Sequence, residues 1–323
     1  MTRTTLLLIA LLTLAPSACQ PATPTPARTR VAAIPARAVK VTPAMDPLPP
    51  VLHGSLWRAP VPLEGPVNTA GAEDSAFITP DGGTLYFFFT PDANVPPEKQ
   101  LLDGVTGLWC ARRAGGVWGE PARVILGKGP SLDGAAFVLG DELWFASVRA
   151  GNYREIDIYT ARLQGGRWTD VRNAGRQLNE AYDIGELHIA PDGQALYCGG
   201  PEQWGAGQGK DLHVLYRTAD GWTPPEALPA PINTPELDED QPFITPDGNE
   251  LWFTGQSRRG YPGPAVFRSL RAGEGCWSPP EEIVSSFAAE PTLDAQGNLY
   301  FVHHYIKDGR ILEADIYVAY REG

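Results

Sequence analysis

One phrase recurs along this chain. It reads Phe77-Ile78-Thr79-Pro80-Asp81-Gly82 and again Phe243-Ile244-Thr245-Pro246-Asp247-Gly248, with a variant at His188-Ile189-Ala190-Pro191-Asp192-Gly193 and a worn copy at Asp294-Ala295-Gln296-Gly297. Pro-Asp-Gly is turn chemistry, because proline presets φ and glycine accepts positive φ. An apolar-aromatic run follows each turn, as in Leu85-Tyr86-Phe87, Leu196-Tyr197-Cys198, Leu251-Trp252-Phe253 and Leu299-Tyr300-Phe301, and Leu143-Trp144-Phe145 fits the same place. Each turn with its flanks therefore predicts a β-hairpin. A third strand comes next, at Leu108-Trp109, Asp157-Ile158-Tyr159, Asp211-Leu212-His213, Val266-Phe267 and Asp315-Ile316-Tyr317. A glycine turn and a tryptophan lead a fourth strand at Trp118, Trp168, Trp222 and Trp277, spaced by 50, 54 and 55 residues. Four short strands in a unit of that length are the pattern of propeller blades.

Five units carry the first three strands, but only four carry the tryptophan-led fourth. The missing strand lies at the other end of the chain. Trp57 stands eleven residues before Asn68, as Trp222 does before Asn233 and Trp168 before Asn179. Residues 55–68 are therefore expected to form the outer strand of the last blade, which pairs the two ends of the domain and leaves no raw edge at the seam. The expectation is an all-β, five-bladed propeller over residues 51–323, its last blade closed by that N-terminal strand.

Composition agrees. With 35 Gly and 32 Pro the chain is too rich in helix breakers for a helical bundle, and 9 Trp, 11 Tyr and 11 Phe give it the means to bury a core. The net charge is −12, and the acids concentrate after residue 50. A body that negative repels phosphate backbones, so nucleic acid is not an expected partner.

The run "EDQPFITPDGNELWF", followed by "DIY" and "GxWxxPxxLxxxINT" patterns, resembles the WD40-like PD40 repeats of the TolB-type propeller family over roughly residues 55–323. The resemblance implies an exported propeller that binds something, without naming the ligand.

The chain start fits export. Arg3 precedes a ten-residue apolar run, Leu6 to Ala15, which is about half the length that a membrane-spanning helix needs. Ser17-Ala18-Cys19 resembles the lipobox of bacterial lipoproteins, although Pro16 stands where that family usually has leucine. The resemblance implies acylation of Cys19 and attachment to the cell envelope; the alternative is an ordinary secretory signal cut near Ser17 or Ala18, giving a periplasmic or extracellular protein. Residues 1–19 are read as the signal. Residues 20–50 hold eight prolines and almost no large apolar side chain, so they are read as a disordered tether of about 90 Å at about 3.1 Å per residue. Membrane contact is expected only through the anchor, and the protein is expected to be a monomer. Cys110, Cys198 and Cys276 show no metal-ligand or disulfide spacing.

Acids stand just before the innermost strands. Counted from the repeat phenylalanine or its equivalent, Glu73, Asp133 and Glu239 lie at −4, and Glu186 and Glu290 at −2. Alternation puts −4 and −2 on one strand face, so the five are expected to converge at one mouth of the channel, with Asp74, Asp183, Asp238 and Asp240 nearby. Converging carboxylates repel unless compensated, which motivates a Ca²⁺ ion held by Glu73, Asp133, Glu186, Glu239 and Glu290. The competing reading is structural bracing, with Arg149 and Arg258 as available partners. A third reading, by fold analogy with glycosidases, makes Asp74 the base or nucleophile, Glu186 the acid and Asp133 a tuning residue. His188 is placed to line the channel. His303 and His304 are adjacent on a strand, so they face opposite ways. Trp204, in a glycine-rich loop outside the repeat pattern, is a candidate for stacking on a sugar or a partner side chain, while the repeat tryptophans are assigned to blade packing. The favoured function is a tethered binding or scaffolding module for an envelope protein or glycan; the alternative is a carbohydrate-active enzyme.

Overall fold

A computed structural model describes residues 29–182, 184–201, 210–273 and 275–323. Its strands form five antiparallel units built on four strands each, and Val51–Leu52 adds a further outer strand to the fourth. The first runs through Ala72–Ile78, Thr84–Thr90, Gly107–Ala114 and Ala122–Arg123, and the second through Leu132–Leu139, Glu142–Val148, Asp157–Gln164 and Arg167–Asn173. The third runs through Leu187–Ile189, Ala195–Pro201, Lys210–Thr218 and Glu226–Ala227, and the fourth through Glu239–Ile244, Glu250–Gln256, Pro264–Gly273 and Glu281–Ser285. The fifth has Ala288–Leu293, Leu299–Lys307 and Arg310–Ala319, and its outer strand is Val61–Pro62 from the N-terminal side.

The repeat turns are held as their chemistry requires. The Thr79 hydroxyl donates to Asp81 Oδ1 at 2.6 Å, and Gly83 N–H donates to the same oxygen at 2.9 Å. Thr245 and Asn249 do likewise at Asp247. Gly82 and Gly248 take φ of 67° and 71°, which is open to glycine at little cost.

The seam closes where expected. Val61 pairs with Val318, Pro62 with Tyr317, and Trp57 bridges to Arg321. Trp57 is buried, donates from Nε1 to the Gly297 carbonyl, and lies under the Arg321 guanidinium. Arg113, Arg217 and Arg271 cover Trp118, Trp222 and Trp277 in the same way. These tryptophans pack the blades, and each arginine adds a cation–π contact on the outer face.

Two expectations are corrected. Residues 29–50 are not free tether: Arg30, Lys40 and Asp46 reach the propeller at Glu73, at Glu313 and Asp315, and at His303. Composition pointed to disorder because this stretch holds few large apolar residues; charged side chains dock it, with Ala33, Ile34 and Val41 touching the apolar clusters. Among the described residues no helix is long and apolar enough to cross a membrane.

The second correction concerns which way the acids face. Four innermost strands contain a β-bulge, with register slips between Asp74 and Phe77, Gly134 and Phe137, Asp240 and Phe243, and Ala289 and Thr292. Ser75, Ala135, Gln241 and Glu290, all at −2, have φ of 48°, 44°, 55° and 57°. One extra residue reverses the alternation. Position −4 therefore shares a face with the residue after the phenylalanine, between blades, and only −2 is left at the channel.

Candidate functional site

The central channel is lined by the −2 to 0 residues of all five innermost strands and holds only about 60 Å³. Its floor is shut by rings. His188 lies 4.7 Å from Phe243, 4.8 Å from Phe137 and 6.0 Å from Phe77, centroid to centroid. Burial pushes His188 down to about 3, so it is a neutral ring. Its Nδ1 accepts from Ile244 N–H at 3.3 Å. His188 lines the channel as expected, as part of the plug.

The carboxylates divide into two sets. Glu73, Asp133 and Glu239 are buried and each meets a guanidinium, from Arg30 at 2.9 Å, Arg149 at 2.5 Å and Arg258 at 3.0 Å. Asp133 also accepts from the hydroxyls of Ser131 and Ser147. Burial raises Glu73 and Glu239, and the arginines with Thr69 and Thr234 oppose the rise. These three brace the blades, as the structural reading had it for Arg149 and Arg258. The expected ring of five calcium ligands does not form, because the bulge turns three of its members away from Glu186 and Glu290. Among the described residues no three His, Cys, Asp or Glu side chains are grouped so as to hold a metal ion.

The second set stands at the mouth. Glu290 Oε2 accepts from Ser75 N–H at 2.7 Å, and Oε1 accepts from Gln241 Nε2 at 2.9 Å. Its own N–H donates to Thr254 Oγ1, which holds this non-glycine residue in the left-handed region. Burial lifts Glu290 well above the usual carboxyl range, and repulsion from Asp74 and Glu186 adds to it. Burial acts on Asp74 in the same direction. His304 Nε2 at 3.5 Å and a hydrogen bond from the Glu290 carboxyl outweigh it and hold Asp74 down at about 2. The two carboxyls are thus displaced in opposite directions, Glu290 up and Asp74 down. Glu186 is pushed up to about 8 by burial and by Asp240 and Asp74, against the pull of Lys210 and Gln241.

Lys210 connects this cluster to the open face. Its ammonium pairs with Asp240, and its backbone N–H donates to Asp238 Oδ1 at 2.8 Å. Gly199 makes room for the pair, since a Cβ there would fall 1.6 Å from Asp240 Oδ1. Two depressions meet at Lys210, Asp240 and Gln241. One, of about 740 Å³, is lined by Ile156, Arg154 and Glu186; the other, of about 580 Å³, by Asp238, Gln256 and Tyr261.

Thus Asp74, Glu186, Glu290 and Asp240 come together, while Asp133 stands apart with Arg149. Cys19, Asp183 and Trp204 lie outside the described residues. Sequence reasoning missed Lys210, Gln241 and the contact of His304 with Asp74. Gln241 was findable, because it occupies the same −2 position as Glu186 and Glu290.

No family model matches the chain, and no curated protein matches it. Among solved structures it is similar to the protein assigned as TolB from Agrobacterium tumefaciens, at 16% identity and a TM-score of 0.45, covering 79% of this chain and 92% of that one. It is similar to TolB from Acinetobacter baumannii at 13% identity and a TM-score of 0.40, covering 79% of this chain and 55% of that one. It is also similar to an α-L-arabinofuranosidase from Clostridium thermocellum at 14% identity and a TM-score of 0.42, covering 72% of this chain and 82% of that one.

Proposed function

We propose that this chain is an exported binding module of the cell envelope, anchored through Cys19, which takes a hydroxyl-rich ligand such as a glycan on the face bearing the channel mouth. One observation carries the reading. Lys210, Asp240 and Gln241 form a polar junction between two depressions of about 740 and 580 Å³, where Glu186, pushed up to about 8, can donate a hydrogen bond at neutral pH. Donors and acceptors set between the partly exposed apolar surfaces of Ile156 and Tyr261 suit a sugar, which offers hydroxyls at its rim and C–H faces between them. The test is calorimetric titration of the folded protein with muropeptides and with xylo- and arabino-oligosaccharides. We expect binding to at least one, weakened tenfold or more by Asp240→Asn or Lys210→Ala and unchanged by Arg172→Ala, which is remote and exposed. Binding to none of these probes would sink the reading.

A second reading is glycoside hydrolysis. It is favoured by the convergence of Asp74, Glu186 and Glu290 at the mouth, where His304 at 3.5 Å holds Asp74 down and burial lifts Glu186, an arrangement that divides carboxyls into a base and an acid. In that case Asp74→Asn and Glu186→Gln each abolish release of reducing sugar while binding persists. The tuning role for Asp133 drops out, because that carboxylate is committed to Arg149.

A further inference from the structure

Blade one contains a socket for a guanidinium that its own sequence does not fill. Blade four shows what the socket is. Thr234 donates from N–H and hydroxyl to the two oxygens of Glu239, and Arg258 reaches Glu239 at 3.0 Å and the Ile232 carbonyl at 3.2 Å, over the Phe267 ring. In blade two Arg149 reaches Asp133 and the Leu126 carbonyl, over Phe145 and Tyr159. Both arginines come from the chain just past the second strand of their own blade. Blade one repeats the walls: Thr69 donates from N–H and hydroxyl to Glu73, Val67 precedes Asn68 as Ile232 precedes Asn233, and Phe87, Phe89 and Trp109 supply rings. Yet its second strand runs out as Thr90-Pro91-Asp92, with no basic residue.

Arg30 fills the gap from outside the propeller. Its Nη1 donates to Glu73 Oε1 at 2.9 Å and to the Val67 carbonyl at 2.7 Å, and Nη2 donates to the Pro66 carbonyl at 2.6 Å. The guanidinium lies within 5.2–5.6 Å of three ring centroids and is 5% exposed. Two carbonyls, one carboxylate and stacked rings match a planar five-donor fork and not a point-charge ammonium.

The segment that brings Arg30 in is held lightly. Residues 29–50 form no strand, and of them only Arg30 and Ala33 are buried. Val31 and Val39 are each 70% exposed. Arg37 on Asp92, Lys40 on Glu313 and Asp315, and Asp46 on His303 are the other charged anchors. No β-ladder holds the segment and its apolar contacts are confined to Ala33, Ile34 and Val41, so it can leave and be replaced without unfolding a blade.

We propose that this socket is an exchangeable binding site for an arginine-bearing peptide, occupied in cis by residues 29–37 and open in trans to a partner segment that presents an arginine in the same way. It is separate from the mouth site and does not depend on the reading of that site. The test titrates a fluorescein-labelled peptide spanning residues 29–37 into full-length chains and follows anisotropy. The Arg30→Ala chain is expected to bind it at least tenfold more tightly than the wild-type chain, whose socket is occupied. A peptide with lysine in place of its Arg30 is expected to bind at least tenfold more weakly. In the wild-type chain, excess unlabelled peptide should speed hydrogen exchange across residues 29–46, and that measurement stands alone if Arg30→Ala does not fold. A folded Arg30→Ala chain that ignores the peptide, equal binding of the lysine peptide, or exchange in the wild-type arm indifferent to peptide would each overturn the proposal.

Discussion

Asn68 holds Ile316 by both its backbone N–H and its carbonyl, although the two lie 248 positions apart. Ile316 N–H donates to Asn68 Oδ1 at 3.0 Å, and Asn68 Nδ2 donates back to the Ile316 carbonyl at 2.9 Å. Asn179 grips Ile158 and Asn233 grips Leu212 in the same manner. The repeated asparagine is thus a clip that substitutes for ladder bonds where the outer strand has ended, and at Asn68 the clip closes the ring.

Asn68→Ala leaves the Ile316 N–H without a partner, while the Ile316 carbonyl still accepts from Leu63 N–H. Such a group costs about 1–3 kcal/mol, and a loss on that scale is expected in urea unfolding, with a lower Tm. A change below about 0.5 kcal/mol would mean that the seam does not need the clip.

Asp133→Ala strands the Arg149 guanidinium in a buried setting. Removing one member of a buried ion pair costs about 3–5 kcal/mol. The variant is expected to lose stability on that scale and to keep its affinity at the mouth. A fall in affinity with little change in stability would return Asp133 to the site.

The brace carboxylates are already neutralised by arginine, so Ca²⁺ gains nothing by binding them. Neither millimolar Ca²⁺ nor chelator is expected to move the Tm. A Ca²⁺-dependent rise of several degrees would reinstate a cation at the mouth.

Glu186 and Glu290 bind protons more tightly in the folded protein than in the unfolded chain. The stability that Glu186 lends is full below about 4.5 and is lost as pH climbs through about 8. Asp74 runs the other way, its contribution present above 3.8 and lost as pH falls towards about 2. The Tm should therefore decline between pH 5 and 9, and Glu186→Gln, which cannot ionise, should flatten the decline. Parallel curves for the variant and wild type would show that Glu186 titrates normally.

Gly199→Ala puts a methyl group where Asp240 Oδ1 now lies. The Asp240 side chain can swing away, so the fold should survive while the pair with Lys210 is lost. Ligand affinity should then fall about as far as in Asp240→Asn. An unchanged affinity would separate that ion pair from binding.

The amino-acid order alone determined the blades, the turns and the ring closure. Those features rest on local chemistry: Pro-Asp-Gly turns, a tryptophan at or just before each outer strand, and an asparagine eleven residues after Trp57, Trp168 and Trp222. The direction of the acids was settled only in three dimensions. A strand pattern assumes strict alternation, and the bulge at Ser75, Ala135, Gln241 and Glu290 breaks it with one extra residue, leaving Glu290 and Glu186 at the mouth and turning Glu73, Asp133 and Glu239 between blades. The docked arm was equally hidden. Its composition signals disorder, and its attachment depends on an arginine finding a carboxylate 43 residues away, in a blade with no arginine just past its second strand.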